Sequence, residues 1–229
     1  MTKIKGWLAV LFLLFSLNFG GITHQGIMVG DELFRVIGIP PWSNPVTNHG
    51  LHYAAIVGII MLFISGSLTI KYFRQHYKKY VGRTVVLSCI IFFTVYPLLT
   101  EQLYYLVNVK EKGIKAVDYL KKDSSCMYST QEDKVSFHCT IRLINYGGQN
   151  ETVTIRPIFR EYGNSQGIWS FVEVQPQEIT LPSRSNIKHN IRFESKPDAR
   201  IAEFGASGST DYFGMEFVKD AQEKEVYRN

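Results

Sequence analysis

The stretch LHYAAIVGIIMLFISGSLTIKYFRQHYKKYVGRTVVLSCIIFFTVYPLLT, residues 51–100, decides the fold class. It holds two uncharged runs, Leu51–Ile70 and Thr84–Thr100, on either side of a basic segment that carries no acid. A helix needs roughly 20 apolar residues to cross the hydrocarbon of a bilayer, within a range of about 17–25. Both runs meet that length. Backbone groups in lipid must be satisfied internally, so both are expected to be helices. Apolar character resumes after Glu101 and extends the third segment to residue 106.

A third uncharged run, Gly6–Ile22, precedes these two and follows Lys3 and Lys5. A basic start before an apolar stretch also describes a secretory signal. Asn18-Phe-Gly-Gly is a poor cleavage site, so the expectation is an uncleaved helix over 1–22.

Charge sets the orientation. The 229-residue chain has a formal net charge of +5, and all of it lies before Val107. From Val107 to Asn229 there are 17 basic and 17 acidic residues. Of the eight earlier basic residues, seven (Lys3, Lys5, Lys71, Arg74, Lys78, Lys79 and Arg83) flank apolar runs, and Arg35 stands apart. That is the positive-inside pattern. It places the amino terminus and the 71–83 loop in the cytoplasm, and the 23–50 loop and everything after the third helix outside. The same segregation argues against a nucleic-acid partner, which would need basic residues interleaved with aromatics on a soluble face. The lipid bilayer is the expected partner, and the 71–83 segment is a candidate for contact with anionic headgroups.

The 23–50 loop is apolar for a loop. Leu33, Phe34, Val36, Ile37 and Ile39 fit one face of a short interfacial helix, with Asp31 and Glu32 in its first turn and Pro40-Pro41 ending it. Trp42 suits an interfacial anchor. His49 and His52 are three apart, a spacing that shares a helix face. A metal site needs three or four ligands; His24 is nearby in sequence, but the acids Asp31 and Glu32 lie across the Pro-rich break, so no metal or other cofactor is expected. Glu101 is the one acid in the third segment and is read as a headgroup-level anchor beside Gln102, Tyr104 and Tyr105. Its alternative is a buried functional carboxylate.

Ile114, Val117 and Leu120 recur at helical spacing, and 107–123 is read as a helical stalk. Beyond it the period changes to two. Val135, Phe137, Cys139, Ile141 and Leu143 alternate with polar residues, as do Val153 and Ile155, and Ile187, His189, Ile191 and Phe193. Further strands are expected at 168–174, 177–181 and 212–218. Six or seven short strands with regular turns predict an antiparallel β-sandwich over 124–220, followed by a tail over 221–229. His189 falls with the apolar set and His138 on the opposite face.

Cys126 and Cys139 are the only cysteines of this region. With Glu132-Asp133 at a hairpin turn they stand directly opposite one another, within disulfide reach. An oxidising compartment would preserve the bond. Asn150-Glu-Thr152 is a glycosylation sequon only in a eukaryotic secretory route, and the Ile-, Lys-, Phe- and Tyr-rich composition leans bacterial. The stretch Ile179–Phe193, with Leu181-Pro182 and Ser185 at a corner before an alternating strand, resembles a strand-turn-strand of bacterial immunoglobulin-like domains. The resemblance implies a fold and no activity.

The fold class expected is therefore α+β: three transmembrane helices followed by an extracytoplasmic immunoglobulin-like β-sandwich. No nucleophile elbow, phosphate-binding loop or zinc-protease motif is present. The expected role is non-enzymatic, in binding, sensing or as an accessory subunit of another membrane or extracytoplasmic protein. The alternative is a small membrane enzyme or transporter component using Glu101, Asp31, Glu32, His49 or His52.

Overall fold

The computed structural model describes residues 2–45, 49–75, 80–159, 172–204, 207–211 and 213–226. The chain divides into two compact units, Met1–Leu103 and Tyr104–Arg228.

Four helices of eight residues or more precede the sheets: α1 (Thr2–Gly20), α2 (Val29–Val36), α3 (Tyr53–Arg74) and α4 (Val81–Val107). Among the described residues, α3 and α4 are long and apolar enough to cross a membrane, and the described apolar part of α1 is the shorter Ile4–Gly20. Two helices that could span are thus present, and α1, expected as a first span or uncleaved signal anchor, is at the lower limit of length. The basic segment 71–83 is also less of a loop than expected. Lys71 and Arg74 lie in the last turn of α3, and Arg83 lies in the first turn of α4. Residues 76–79 of that segment lie outside the described residues.

α1 and α3 run antiparallel, with Gly6 against Tyr72 and Phe73 at one end and Phe19 against Gly58 at the other. Small side chains on α3 permit the approach. Ala54, Gly58, Ser65 and Thr69 are its buried residues, spaced so that they form one stripe. Opposite them Ala9, Leu13, Ser16 and Leu17 are buried on α1. The Thr69 hydroxyl reaches the Ser65 carbonyl (2.8 Å) and the Ala9 carbonyl (3.2 Å). Gly66 has open space around it, and Ser65 rather than Gly66 occupies the helix contact.

The second unit begins with the last turn of α4 and, among the described residues, contains eight strands: β3 (Val117–Gln131), β4 (Lys134–Asn145), β5 (Glu151–Phe159), β6 (Gln177–Leu181), β7 (Ser185–Glu194), β8 (Ser207–Thr210), β9 (Phe213–Lys219) and β10 (Gln222–Val226). They form two antiparallel four-stranded sheets, ordered β10-β9-β5-β6 and β7-β4-β3-β8. The expected alternation holds on β4 and β5. Val135, Phe137, Cys139, Ile141, Leu143, Val153 and Ile155 point into a single core shared by both sheets, with Tyr119, Phe193, Met215 and Phe217. The segment β6–β7 changes sheets at its Pro182-containing corner, where Arg184 takes a positive φ of 50°. Of the strand expected at 168–174, residues 168–171 lie outside the described residues, and Val174 makes an isolated bridge to Ser195.

β3 and β4 form a hairpin in which Cys126 pairs with Cys139 and Gln131 with Lys134, so Glu132 and Asp133 make the turn. The two cysteines are joined by a disulfide with Cα atoms 4.0 Å apart.

Two expected boundaries are corrected. The helical stalk over 107–123 does not form. α4 ends at Val107, one 3-10 turn covers Gly113–Lys115, and β3 starts at Val117. The 114/117/120 spacing is real but serves two cores: Ile114 and Val117 enter the main core, and Leu120 joins Tyr105, Ile144 and Tyr146 in a second cluster. A register shift between Leu120 and Ser125 moves the inward set of β3 from odd to even positions. There the Ser124 hydroxyl donates to the Leu120 carbonyl (2.7 Å) and accepts from the Arg142 amide (2.9 Å), replacing ladder bonds lost at the bulge. The tail expected over 221–229 is corrected as well. Residues 222–226 are β10, joined to β9 by a two-residue turn in which Asp220 and Ala221 both have positive φ. Positive φ at both central residues is the type I′ geometry that matches strand twist.

His138 is exposed and His189 half-buried, on opposite faces as the alternation predicts. The His189 Nε2 atom is buried and makes no hydrogen bond among the described residues. Burial holds the imidazole below its ordinary pKa. The neutral ring is thus favoured in the folded state. Its contribution to stability is complete above the unfolded pKa of ~6.5 and is lost as pH falls through the folded value. The melting temperature is expected to fall from pH 7.5 to pH 5, and less steeply in His189→Leu. Parallel pH profiles for the two proteins would contradict this.

Candidate functional site

Among the described residues, the loop between α1 and α3 builds a convergent polar cluster from residues far apart in sequence. After α1, a tight turn is held by the Thr23 amide donating to the Ile27 carbonyl (2.9 Å) and the Gly26 amide donating to the Thr23 carbonyl (2.9 Å). The His24 amide then donates to the Thr100 hydroxyl of α4 (3.0 Å), and His24 Nδ1 lies 3.3 Å from the same oxygen.

The short helix predicted in this loop is α2. Gly30 lets it close on α1, because a Cβ there would lie 2.7 Å from the Phe19 ring. Its end is not set by Pro40-Pro41 as expected. Gly38 has φ of 77°, its amide donates to the Arg35 carbonyl (3.0 Å), and the Ile39 amide donates to the Phe34 carbonyl (2.8 Å). That pair of bonds is a Schellman motif, which stops the helix before the prolines are reached.

The chain then reverses through β1 (Trp42–Asn44) and β2 (His49–His52), with Trp42 paired to His52. His52 is the N-cap residue of α3. The Trp42 indole stacks on the His52 ring, with centroids 3.9 Å apart and planes within 7°. His52 Nε2 lies 2.6 Å from Asp31 Oδ1. The side chains of Asp31 and His52 are only 13% and 22% exposed, so the pair is largely shielded from water. Asp31, Trp42 and His52 therefore form one cluster.

The other candidates lie elsewhere. Glu32 turns outward and pairs with Arg35 at 2.7 Å. The backbone of His49 pairs with Asn44 in a strand rather than a helix, so the shared helix face does not arise; its side chain lies outside the described residues. Glu101 follows Thr100 on α4 and is half-buried. Trp42, read from sequence as an interfacial anchor, is the residue missed. No local spacing signals the contact, because the hairpin register shifts between Trp42 and Asn44 and only the folded pairing sets Trp42 against His52.

Chemically, the carboxylate fixes the imidazole. With Nε2–H donating to Asp31, the ring is held in one tautomer with Nδ1 as its remaining basic atom, as in acid–base pairs of hydrolases. Among the described residues, the partners of the His52 ring are the Asp31 carboxylate and the Trp42 indole. One imidazole and one carboxylate already bonded to each other fall short of the three or four ligands a zinc site uses.

The second unit carries the only described group of three acids close enough to share a cation, Glu216, Glu223 and Glu225. Glu216 is buried and bound in a fork by Arg156 Nε (2.5 Å) and Nη2 (2.8 Å). Burial pushes its carboxyl up, but the Arg156 bonds outweigh that and hold it below the ordinary range. Arg156 thus already supplies a cation to the group. Glu151 is also wholly buried. Burial raises its pKa, and bonds from Lys219 Nζ (2.6 Å), Gln149 Nε2 (2.9 Å) and the Gly113 backbone more than reverse the shift. These are paired, stabilising charges.

No protein-family model matches the chain, and no curated protein or solved structure is detectably similar to it.

Proposed function

We propose that this chain is a multi-pass membrane protein that displays an extracytoplasmic immunoglobulin-like module for recognition or as an accessory subunit. The observation that carries the reading is the Cys126–Cys139 disulfide in the core of a two-sheet unit that follows directly on an apolar helix of 27 residues. Disulfides persist on the oxidising side of a membrane. The segregation of basic residues supports putting the second unit on that same side. Loops and edge strands of such sandwiches commonly meet partners.

The test is affinity capture from gently solubilised membranes. It compares the full chain with a version ending at Val107, a boundary chosen because β3 begins at Val117. A partner retained by the full chain and lost on truncation is the expected result. Identical capture by both forms would move recognition to the helices and remove the proposal.

A second reading is favoured by the shielded Asp31–His52–Trp42 cluster: a membrane enzyme or transporter component whose site is the outer loop. Under that reading His52→Gln abolishes function while capture of the partner persists.

A further inference from the structure

The basic ends of three helices meet at one end of the first unit. Gly6, near the start of α1, lies against Phe73 near the end of α3, and the Trp7 and Phe73 rings meet edge to face at 6.5 Å. Gly82, at the start of α4, lies against Ile70 of α3. Lys5, Lys71, Arg74 and Arg83 are all exposed at these helix ends. No acid accompanies them. The three acids of this unit, Asp31, Glu32 and Glu101, lie on α2 and toward the far end of α4.

At the basic end the helices do not close. A cavity of about 570 Å³ is lined by residues that include Val10 of α1, Thr69 and Phe73 of α3, and Tyr80, Thr84 and Val85 at the start of α4. That volume lies in the ~300–1,000 Å³ range of ligand sites. α4 packs loosely beside it, with Val86, Leu87, Ile90 and Ile91 all exposed.

The walls define the guest. The Thr69 hydroxyl is spent on the carbonyls of Ser65 and Ala9, and the Thr84 hydroxyl donates to the Tyr80 carbonyl (3.1 Å). Each threonine hydroxyl spends its single hydrogen on a backbone carbonyl, so neither has a donor left for a ligand, and the Tyr80 phenol is the other polar group of the lining. An apolar slot whose lining residues Phe73 and Thr84 directly adjoin Arg74 and Arg83 in sequence, on helix ends that carry no acid, matches an apolar chain carrying an anionic head. Lysine and arginine side chains reach from apolar surface to headgroup level, and each contributes attraction to an anionic lipid surface.

We infer that this cavity holds an acyl chain of an anionic phospholipid whose headgroup is bound by Lys5, Lys71, Arg74 and Arg83. The inference rests on the membrane reading above and is separable from it. Whether the chain sediments with membranes and resists carbonate extraction tests that reading alone.

The lipid site is tested with the full chain purified in mild detergent. Phosphatidylglycerol or phosphatidylcholine is added at equal concentration, and bound lipid is counted by native mass spectrometry. Wild type is expected to retain phosphatidylglycerol at least tenfold over phosphatidylcholine. Thr84→Trp, which fills the cavity, is expected to lose most of the bound lipid. Joint replacement of Lys71, Arg74 and Arg83 by Gln is expected to abolish the preference between the two lipids. If Thr84→Trp does not retain its helical circular dichroism, Val85→Phe gives a smaller fill with the same expected loss. Equal retention of the two lipids by wild type, or undiminished binding by a folded cavity-filled variant, would overturn the inference.

Discussion

Replacing Cys126 and Cys139 together by alanine is expected to destabilise the second unit by about 3 kcal/mol. The bond closes a loop of 13 residues' separation between two buried positions that already face each other across the hairpin. Its main effect is to remove conformations from the unfolded chain, so the loss appears even if the folded hairpin survives in the variant. For a unit of this size the melting temperature should drop by roughly 10 °C or more. The check is thermal unfolding of the full chain in detergent, followed by the β-sheet circular dichroism signal, with and without reductant. Wild type should lose stability on reduction, and the alanine pair should be insensitive to reductant. An unchanged melting temperature in reductant-treated wild type, with the bond shown by mass to be open, would contradict the assignment.

Asn145→Ala is expected to cost a similar amount, about 3 kcal/mol, because it strands buried backbone groups rather than removing a surface bond. Asn145 is fully buried at the end of β4. Its Nδ2 faces the carbonyls of Gln149 (2.9 Å), Pro182 (3.0 Å) and Leu181 (3.2 Å), and its Oδ1 accepts from the Gly147 amide (2.9 Å). One side chain thereby ties the turn after β4 to the corner at which the chain passes between sheets. The same turn packs closely on its neighbours, since a Cβ on Gly147 would sit 2.8 Å from the Glu111 carbonyl oxygen. Asn145→Asp separates the two roles. It keeps an acceptor for Gly147 but faces three carbonyls with a carboxylate, so it should be at least as damaging as alanine. Chemical denaturation of the three proteins reads this order. If Asp proved close to wild type, the amide donor would not be the stabilising element.

How much of this was legible in advance follows from the range of each signal. Strand alternation is local, so the inward set of β4, from Val135 to Leu143, is read directly from the sequence. One turn then sets a whole hairpin register, and the Cys126–Cys139 pairing came with it. β10 was not legible, because Gln-Glu-Lys-Glu-Val has no apolar alternation. Its strand character comes from pairing with β9 and from Lys224, whose Nζ donates to the Val117 carbonyl (2.7 Å). β8, a Ser-Gly-Ser-Thr segment, is likewise a strand only because β3 offers it an edge. The helical spacing of Ile114, Val117 and Leu120 misled because two separate cores draw on it.

Within the loop between α1 and α3, the residue types of a site were visible as Asp31, Glu32, His49 and His52, and the short helix was visible from its apolar face. Their arrangement was not. Asp31 and His52 are 21 positions apart. They meet because a glycine-terminated helix is followed by a hairpin that stacks Trp42 on His52. By itself the sequence determined the apolar lengths, the segregation of charge to one set of helix ends, the period-two strands and the disulfide register, all of which depend on neighbours within a turn or a hairpin. The tertiary structure alone decided that α4 stands off α1 and α3 to leave an apolar cavity at the basic end, and that one aspartate and one histidine share a shielded contact. Both depend on side-chain volumes and loop paths brought together from distant parts of the chain, and no local periodicity encodes them.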